Sequence, residues 1–259
     1  MLSVLKIGGS VLRDEPSYAA AASFLRNRLA QNPAEKLSVI VSAQHGQTDA
    51  LLAEAEAIVG NTPTSHALDL LWSTGELRSV ALLCLHLQRI GVDAVPFNVH
   101  QTGLVADRAA GTTVRPLRLL AALAVHSIVV VPGFLGVSAG GTITSLGRGG
   151  SDLTAVLLAN AIHANACELI KDVPGYYTAD PHRDPAARQI HDLSAEDALR
   201  MADEGCDLVQ RAALVAAAAA GLHIVIRSMD AAAPVTHVHS RSGHGVRDED
   251  DSCRTAVRA

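Results

Sequence analysis

Short runs of β-branched and other apolar residues alternate along the chain with longer segments in which apolar residues recur at helical spacing. The apolar runs predict strands at Ser3–Ile7, Leu37–Ser42, Ala94–Asn98, Ser127–Val131, Glu168–Lys171 and Leu222–Ile226. The helical spacing predicts helices at Tyr18–Ala30, Ala50–Val59, His66–Ile90, Pro116–Ala124, Asp152–His163, Ala195–Met201 and Leu208–Ala219. Strands joined by segments of helical length need crossover connections. The pattern therefore predicts an α/β fold with a mainly parallel sheet and helices on both faces.

The composition agrees with this fold and narrows the class of protein. Apolar residues make up 49% of the 259 residues and aromatic residues only 3%, so Ala, Leu, Val and Ile must build the core, as in buried parallel sheets. The net charge of −5 at pH 7 does not favour a nucleic-acid partner, because nucleic-acid-binding proteins present a basic face. The longest apolar stretch, Ala212–Leu222, is about half as long as a membrane span, so no membrane partner is expected.

The N-terminus and the cysteines indicate a cytoplasmic protein. Residues Met1–Lys6 run directly into the first predicted strand and lack the charged and apolar regions of a secretory signal. The cysteines are scattered without C-x-x-C spacing, as expected for free thiols in a reducing compartment. They are Cys84, Cys167, Cys206 and Cys253.

No linker divides the chain, so a single domain over residues 1–240 is expected. The glycine-rich loop Gly133–Gly150 is the candidate boundary between an N-terminal lobe, residues 1–145, and a C-terminal lobe, residues 146–240. Beyond the second lobe the sequence becomes rich in Ser, Arg, Asp, Glu and Gly, and a polar, disordered tail is expected over residues 241–259.

Three histidines near the C-terminus, His237, His239 and His244, raise the question of a metal site. No Cys or carboxylate nearby completes a convincing set of ligands. The sequence therefore predicts no metal site in the protein itself.

The first segment that carries chemistry is Lys6-Ile7-Gly8-Gly9-Ser10, at the end of the first predicted strand. Glycine lets backbone N–H groups approach an anion closely, and successive amides in a tight turn form an anion cradle. The lysine adds a point charge for a phosphate. Because a glycine pair after a strand is also a common turn, the segment alone leaves a phosphate site and a plain turn both open.

The second segment is Thr144–Asp152, which leads directly into the apolar helix predicted from Asp152 onwards. Ser151 or Asp152 is a natural N-cap for that helix. A cap, however, does not require the three glycines and the arginine that precede it. Arg148 is suited to hold a carboxylate by a two-pronged hydrogen bond, so this segment predicts a ligand-binding loop.

The third segment, Lys171–Pro181, follows a predicted strand. In a parallel sheet, ligands collect at the carboxyl ends of the strands, so this loop is positioned to contact one. The alternative interpretation is a Pro-Gly turn followed by an Asp-Pro helix stop.

In this order, the three segments resemble the signature motifs of the amino-acid kinase family, and Ser145–Asp152 resembles the aspartokinase version. Two further segments agree with the resemblance. Ser42–Thr48 is similar to the family's serine-alanine-x-x-glycine-x-threonine segment, and Gly75-Glu76 is similar to a pair that opens a long helix. The resemblance covers about residues 3–239.

This resemblance implies a three-layer α/β/α sandwich of the carbamate kinase type. It implies an ATP-dependent, Mg²⁺-requiring kinase that phosphorylates the side-chain carboxylate of L-aspartate or a close analogue, and a homodimer. The implied catalytic residues are Lys6, Gly9 and Asp152. The implied acceptor-binding residues are Ser42, Thr48, Glu76, Arg148 and Ser151. The implied nucleotide-side residues are Gly8, Ser10, Asp172 and Tyr177.

Three departures from the family pattern fall on the nucleotide side. Lys171 stands where the family has threonine, His182 where it usually has arginine, and Asp207 where it has a lysine that faces the nucleotide. Either Lys171 or Arg183 supplies the missing positive charge, or the pocket binds ATP weakly, or it prefers another donor. Lys171 and Arg183 are therefore added to the nucleotide-side candidates.

Two other functions stay open at this point. A kinase of the same fold could act on a different small acid, since fold alone does not fix the substrate. A non-catalytic binding or regulatory subunit with a degraded ATP site is the alternative from another class. Aspartokinases usually carry C-terminal regulatory domains, and the residues after the last predicted strand are too few for one, so feedback inhibition through such a domain is not expected.

Overall fold

The computed structural model describes residues 1–61, 63, 66–107, 111–147, 149–181 and 184–240. Its strands are β1 (Leu2–Ile7), β2 (Lys36–Val41), β3 (Ala94–Pro96), β4 (Leu104–Asp107), β5 (Gly111–Val114), β6 (Ile128–Pro132), β7 (Leu135–Val137), β8 (Ile143–Ser145), β9 (Ala166–Ile170), β10 (Tyr176–Tyr177), β11 (Gln189–Ile190), β12 (Asp192–Ser194), β13 (Ile224–Arg227) and β14 (Thr236–His239). Its helices are α1 (Glu15–Gln31), α2 (Gln47–Val59), α3 (His66–Arg89), α4 (Leu117–Val125), α5 (Gly150–Ala161), α6 (Ala195–Asp203) and α7 (Arg211–Ala220), with a 3₁₀ turn at Val99–Gln101. The predicted tail, 241–259, lies outside the described residues.

An eight-stranded sheet forms the centre of the fold, in the order β12-β14-β13-β9-β1-β2-β6-β3. All neighbouring strands are parallel except β13 and β14, which are antiparallel. The predicted α/β fold with a mainly parallel sheet is therefore confirmed. A second sheet has the order β5-β4-β7-β8, and β10 pairs with β11.

Successive side chains along the central strands point to opposite faces of the sheet, and both faces are apolar. Along β1, Val4 packs into the core that contains residues of α4, α5, α6 and α7. Leu5 and Ile7 pack into the core that contains residues of α1 and α3. Because side chains alternate with period two, Lys6 shares its face with Val4 and points toward the α5 side. By the same rule Lys171, just after β9, follows Leu169 onto that side.

The two cores are built almost entirely from aliphatic side chains, as the composition predicts. Leu25 of α1 and Leu83 of α3 are fully buried against one face of the sheet, and Leu158 of α5 is fully buried against the other. Each such side chain contributes about 1.5–3 kcal/mol of hydrophobic stabilisation on burial. The rigid sheet that results fixes the relative positions of the loops at its carboxyl edge.

Several helix starts differ from the sequence expectation. Helix α1 begins three residues before the predicted Tyr18, because Asp14 accepts a hydrogen bond from the Ser17 N–H and forms a capping box with it. Helix α5 begins at Gly150 with Gly149 as its N-cap in the left-handed conformation and without a side-chain cap. The expectation of Ser151 or Asp152 as N-cap was therefore wrong, and both residues lie in the first turn.

The expectation that Gly75-Glu76 opens a helix was also wrong. The pair lies in the middle of α3, which starts nine residues earlier at His66. An added Cβ on Gly75 would lie 3.2 Å from the Ala43 Cβ and from the Gln47 Cγ. The glycine is thus needed where α3 approaches the segment after β2, not at a helix end.

The two halves of the sequence occupy different halves of the sheet. Strands β1, β2, β3 and β6 come from the first half of the chain, and β9, β12, β13 and β14 come from the second. The Gly133–Gly150 segment, expected to be a loop, contains the short strands β7 and β8 of the second sheet. In the part of the chain that is described, no helix has the length and apolar character needed to cross a membrane.

Candidate functional site

Two buried lysines meet at one carboxylate at the carboxyl edge of the sheet. Strands β1 and β9 are parallel neighbours, with Lys6 opposite Leu169, so Lys6 and Lys171 reach the same edge. The Lys6 Nζ lies 2.8 Å from the Asp152 Oδ1, and the Lys171 Nζ lies 2.8 Å from the Asp152 Oδ2. The Asp152 side chain is only 4% exposed. The chain has three lysines in all, and two of them are here.

The charges of this cluster do not cancel. Burial alone would raise the pKa of Asp152, but the ammonium groups of Lys171 and Lys6 outweigh it and hold that pKa well below its usual range. Burial lowers the pKa of Lys171 to about 8, against the opposing attraction of Asp152. At neutral pH the three groups therefore carry one net positive charge. A buried excess charge of this kind favours an anionic ligand.

A glycine turn borders the lysines. The Gly8 N–H donates to the Ile170 carbonyl across 3.3 Å, while within the described chain the N–H groups of Gly9 and Ser10 have no hydrogen-bond partner. An added Cβ on Gly8 would lie 3.3 Å from the Lys6 Nζ, and one on Gly9 would lie 2.8 Å from the Ala43 carbonyl oxygen. Only glycine fits the close approach at position 9, and the turn offers amides to an anion beside a lysine.

A cavity of about 380 Å³ is lined by Ser151, the neighbour of Asp152 in the first turn of α5. Four of the predicted acceptor-binding residues share it, which the sequence could not establish. The side chains and glycines that line it are Ser42, Thr48, Asp49, Leu52, Trp72, Glu76, Phe134, Ser145, Gly147, Gly149, Gly150 and Ser151. Its mixed hydroxyl, carboxylate and aromatic lining suits a small polar molecule that carries a positive charge.

Glu76 is the buried acid of this cavity. It is 3% exposed, and its Oε2 has no hydrogen-bond partner among the described residues. Burial raises the pKa of Glu76 to about 8, while a hydrogen bond from the Ala43 backbone and the charge of Lys6 act in the opposite direction. A cationic group that entered the cavity would find here an unpaired acceptor and would add a further electrostatic reason for Glu76 to ionise.

The first turn of α5 forms the wall between the cavity and the lysine cluster. Ser151 lines the cavity while its neighbour Asp152 binds the lysines. An added Cβ on Gly133 would lie 2.6 Å from the Ser151 Oγ, so this glycine lets α5 begin directly against the end of β6. Arg148, predicted to hold a carboxylate, lies outside the described residues.

The remaining nucleotide-side candidates are more exposed. The Ser10 Oγ donates to the Asp172 Oδ1 across 3.0 Å, and Arg13 pairs with the Asp172 Oδ2 at 3.3 Å. Tyr177 is partly exposed in β10, where it pairs with Gln189 of β11. Asp207 is exposed. His182 and Arg183 lie outside the described residues.

The sequence reasoning missed several residues of the site, including two aromatic side chains and one backbone amide. Trp72 and Phe134 line the cavity, and the Gln210 N–H approaches the Asp152 Oδ2 to 3.4 Å. Trp72 precedes Glu76 by four residues, and this spacing puts both on one face of a helix. Trp72 could therefore have been predicted as a neighbour of Glu76 from the helical spacing alone. Phe134 has a φ of +69°. A left-handed backbone conformation is uncommon at a phenylalanine, so the sequence could not predict it.

Comparisons with known proteins agree with this geometry. The model of the amino acid kinase family matches residues 1–228. An aspartokinase of Thermus thermophilus is 38% identical over 232 residues, which are 88% of this chain and 56% of that protein. Aspartate kinase from Synechocystis superposes with a TM-score of 0.82 and 34% identity, over 93% of this chain and 40% of that one. Aspartokinase III of E. coli, in complex with aspartate and ADP, superposes with a TM-score of 0.79 and 27% identity, over 94% of this chain and 66% of that one. The chain spans about half the length of the curated relatives it matches.

Proposed function

We propose a function from the premise that this chain belongs to the amino acid kinase family, as its motifs predict. It transfers the γ-phosphoryl group of ATP to the side-chain carboxylate of L-aspartate or a close analogue and forms an acyl phosphate. The observation that carries this proposal is the pair of lysines on Asp152, which borders a glycine turn on one side and the Glu76 cavity on the other. The likeness to a relative in complex with aspartate and ADP supports the same assignment.

The acceptor is proposed to bind in the Glu76 cavity. Its ammonium group would pair with Glu76, and Ser42, Thr48 and Ser151 offer hydroxyl groups to its remaining polar atoms. Arg148 is retained from the sequence as the residue that holds the non-reacting carboxylate. This orientation directs the reacting carboxylate toward Asp152 and the two lysines.

The nucleotide phosphates are proposed to bind at the glycine turn. The amides of Gly9 and Ser10 and the ammonium of Lys6 are the groups that would contact the transferring phosphoryl group. Gly8 and Tyr177 complete the nucleotide side on the motif match alone. Mg²⁺ would enter with the nucleotide, and the exposed carboxylate of Asp172 beside the turn fits it as a hard oxygen ligand. When bound, Mg²⁺ would add charge neutralisation to that of the lysines.

The chemistry requires positioning and charge neutralisation rather than a general base. A carboxylate with an ordinary pKa of about 4 is already ionised at neutral pH, so its oxygen can attack the γ-phosphorus directly. A bond forms between that oxygen and phosphorus, and the bond to the bridging oxygen of ADP breaks with its electron pair leaving on ADP. The obstacle is repulsion between two anions. Lys6 and Lys171 offset it, and Asp152 keeps both ammonium groups at the reacting position.

Lys171 is proposed to replace the positive charge that the family has at the position of Asp207. It is buried, it lies 2.8 Å from Asp152, and it faces the same carboxylate as Lys6. Asp207 is exposed, so it adds less unfavourable charge to the site than a buried acid would. If Lys171 supplies the missing positive charge, the ATP site is active and not degraded.

Hydroxamate formation tests the proposal. Purified chain, Mg-ATP, L-aspartate and hydroxylamine should yield aspartyl hydroxamate, and Lys6→Ala should lower kcat by a factor of about 10² to 10³. Lys36→Ala is the matched control, because the Lys36 ammonium donates to the His126 carbonyl, outside the site. Equal turnover in Lys6→Ala and Lys36→Ala would remove Lys6 from the mechanism. Nucleotide binding without product would indicate a different small acid as the acceptor.

Three further features are proposed on the family likeness. The lobes 1–145 and 146–240 would carry the acceptor and the nucleotide, respectively. The protein would act in the cytoplasm. A homodimer would form through α3 of the N-terminal lobe, which presents Leu70 and Leu85 to solvent at 58% and 59% exposure. Light scattering on the purified chain would reject the dimer if it gave the monomer mass at micromolar concentration.

A further inference from the structure

An aromatic wall closes one side of the acceptor cavity. The rings of Trp72 and Phe134 meet edge to face, with centroids 5.4 Å apart and an interplanar angle of 66°. Both rings line the cavity together with Leu52. An aromatic pair of this geometry is worth about 0.5–1.5 kcal/mol beyond the area it buries, so it resists displacement.

Both members of the wall are fixed from behind. The Trp72 indole N–H donates to the Thr48 carbonyl across 3.2 Å. The Phe134 N–H donates to the Thr154 hydroxyl across 3.1 Å, and that hydroxyl donates to the Gly150 carbonyl. The wall is thereby tied to α2, which begins at Gln47, and to the first turn of α5. A ligand that needed more room would have to break these contacts.

Trp72 lies one helical turn before Glu76 on the same face of α3. Residues four apart on a helix have their Cβ atoms about 5–6 Å from each other. A ligand whose ammonium pairs with Glu76 therefore also meets the indole of Trp72, which lines the same cavity. The separation of Trp72 and Glu76 is fixed by α3, so the space between them is the same for every ligand.

We infer that Trp72 is a specificity-determining residue that limits the length of the acceptor. The inference rests on the proposed function and deepens it: the cavity takes a four-carbon amino dicarboxylate and excludes one that is a methylene longer. Excluding one methylene from a fixed pocket is worth about 10- to 200-fold in specificity. Trp72 contributes by occupying space and makes no bond to the reacting atoms.

The test compares L-aspartate with L-glutamate in both binding and turnover. Dissociation constants come from calorimetric titration of each amino acid in the presence of ADP, and kcat/KM comes from ADP release. The variants are Trp72→Leu, which removes the wall, and Trp72→Phe, which keeps an aromatic ring. Ile58→Ala is the matched control, because Ile58 is an exposed apolar residue on α2 and does not line the cavity.

The expected result is a preference for aspartate in the unaltered chain that falls at least about tenfold in Trp72→Leu, largely survives in Trp72→Phe and is unchanged in Ile58→Ala. A general loss of folding would affect both amino acids equally and leave the ratio alone. An unchanged ratio in Trp72→Leu overturns the inference even if aspartate is phosphorylated. A Trp72-dependent binding preference without any turnover supports the inference while rejecting the kinase proposal.

A second readout is specific to this residue. Trp72 is the chain's single tryptophan, so the intrinsic emission excited at the red edge reports its surroundings alone. Addition of L-aspartate should change the emission in a saturable way, with the dissociation constant found by calorimetry. Saturable binding of aspartate without any change in the emission would contradict a position of the indole at the acceptor.

Discussion

At the scale of single residues, the centre of the site is one carboxylate that forms ion pairs with two lysines. Asp152 is buried, and its two oxygens lie 2.8 Å from Lys6 and from Lys171. Removing one partner of a buried charged cluster leaves an uncompensated charge and costs more than the net worth of the pair. Each member therefore affects both the stability of the fold and the affinity for an anion, and the two effects have to be measured separately.

Lys171→Thr should weaken nucleotide binding by about 10- to 100-fold, because it removes a charged hydrogen-bond donor from the proposed phosphate site. Since the pKa of Lys171 is about 8, the affinity of the unaltered chain should also decline as the pH rises from 8 to 9.5. The variant should show little of that decline. Calorimetric titration with Mg-ADP across this pH range measures both. A dissociation constant in Lys171→Thr that equals that of a Lys36→Thr control would reject Lys171 as the substitute charge.

The raised pKa of Glu76 predicts that the affinity for aspartate rises with pH, whereas the affinity for the nucleotide should fall. Burial raises its pKa to about 8, so below pH 8 an entering ammonium group must displace a proton from it. The KM for aspartate should therefore fall between pH 6 and pH 8, by up to about tenfold per pH unit. Glu76→Gln should raise KM and remove the slope. Initial rates at saturating ATP are the measurement, and a parallel slope in the variant would exclude Glu76 as its origin.

Unfolding gives an independent check on the same carboxyl group. Its folded-state pKa lies above the unfolded value of 4.5, so the folded chain retains a proton that the unfolded chain has lost. Glu76 therefore lowers stability progressively as the pH rises from 4.5 to 8, by about 1.4 kcal/mol per pH unit. The melting temperature of Glu76→Gln should rise relative to the unaltered chain over this interval. A constant difference would contradict the raised pKa.

At the scale of elements, the site depends on where α3 and α5 approach the sheet. Gly75 lets the middle of α3 reach the segment after β2, and Gly133 lets the first turn of α5 lie against the end of β6. A Cβ at Gly133 would lie 2.7 Å from the Ser151 Cβ and would require a shift of the backbone, whereas one at Gly75 would make tight contacts of 3.2 Å. These glycines therefore set the width of the cavity between the two helices, although neither touches a reacting group.

Gly133→Ala should push the first turn of α5 away from β6, since its Cβ would lie 2.6 Å from the Ser151 Oγ. Overpacking of this kind costs about 1–3 kcal/mol of stability, and the movement of Ser151 and Asp152 should lower kcat/KM for aspartate at least about tenfold. Gly140→Ala is the control, because its Cβ would meet only the Ser138 Oγ at 3.8 Å. Thermal unfolding and initial rates of the Gly133→Ala and Gly140→Ala variants are the measurements. Equal behaviour of the two variants would show that the α5–β6 contact is not critical.

The elements also show how far the sequence could predict the site. Lys6 and Asp152 were recognisable because each lies in a local motif of distinctive composition. The meeting of Lys171 and Lys6 at one carboxylate was not, because it depends on β9 lying beside β1, a neighbour that is distant in the chain. The short strands β7 and β8 were missed because three residues carry too little periodicity to distinguish a strand from a loop.

At the scale of the whole molecule, one continuous sheet joins the proposed acceptor side to the proposed nucleotide side. The junction lies between β1 and β9, where strands from the two halves of the sequence become neighbours. Lys6 and Lys171 lie at this junction, at the carboxyl edge of the sheet, where α/β sheets bind their ligands. Phosphoryl transfer between two bound anions suits this architecture, because each lobe can hold one of them while the sheet fixes their separation.

The most direct test of the central claim is ³¹P NMR of the purified chain with Mg-ATP and L-aspartate. We predict that an acyl phosphate resonance and the ADP resonances appear together, that both require aspartate, and that both are lost in Lys6→Ala but not in Lys36→Ala. ATP that stays intact under these conditions, or that yields inorganic phosphate at the same rate with and without aspartate, would contradict the assignment.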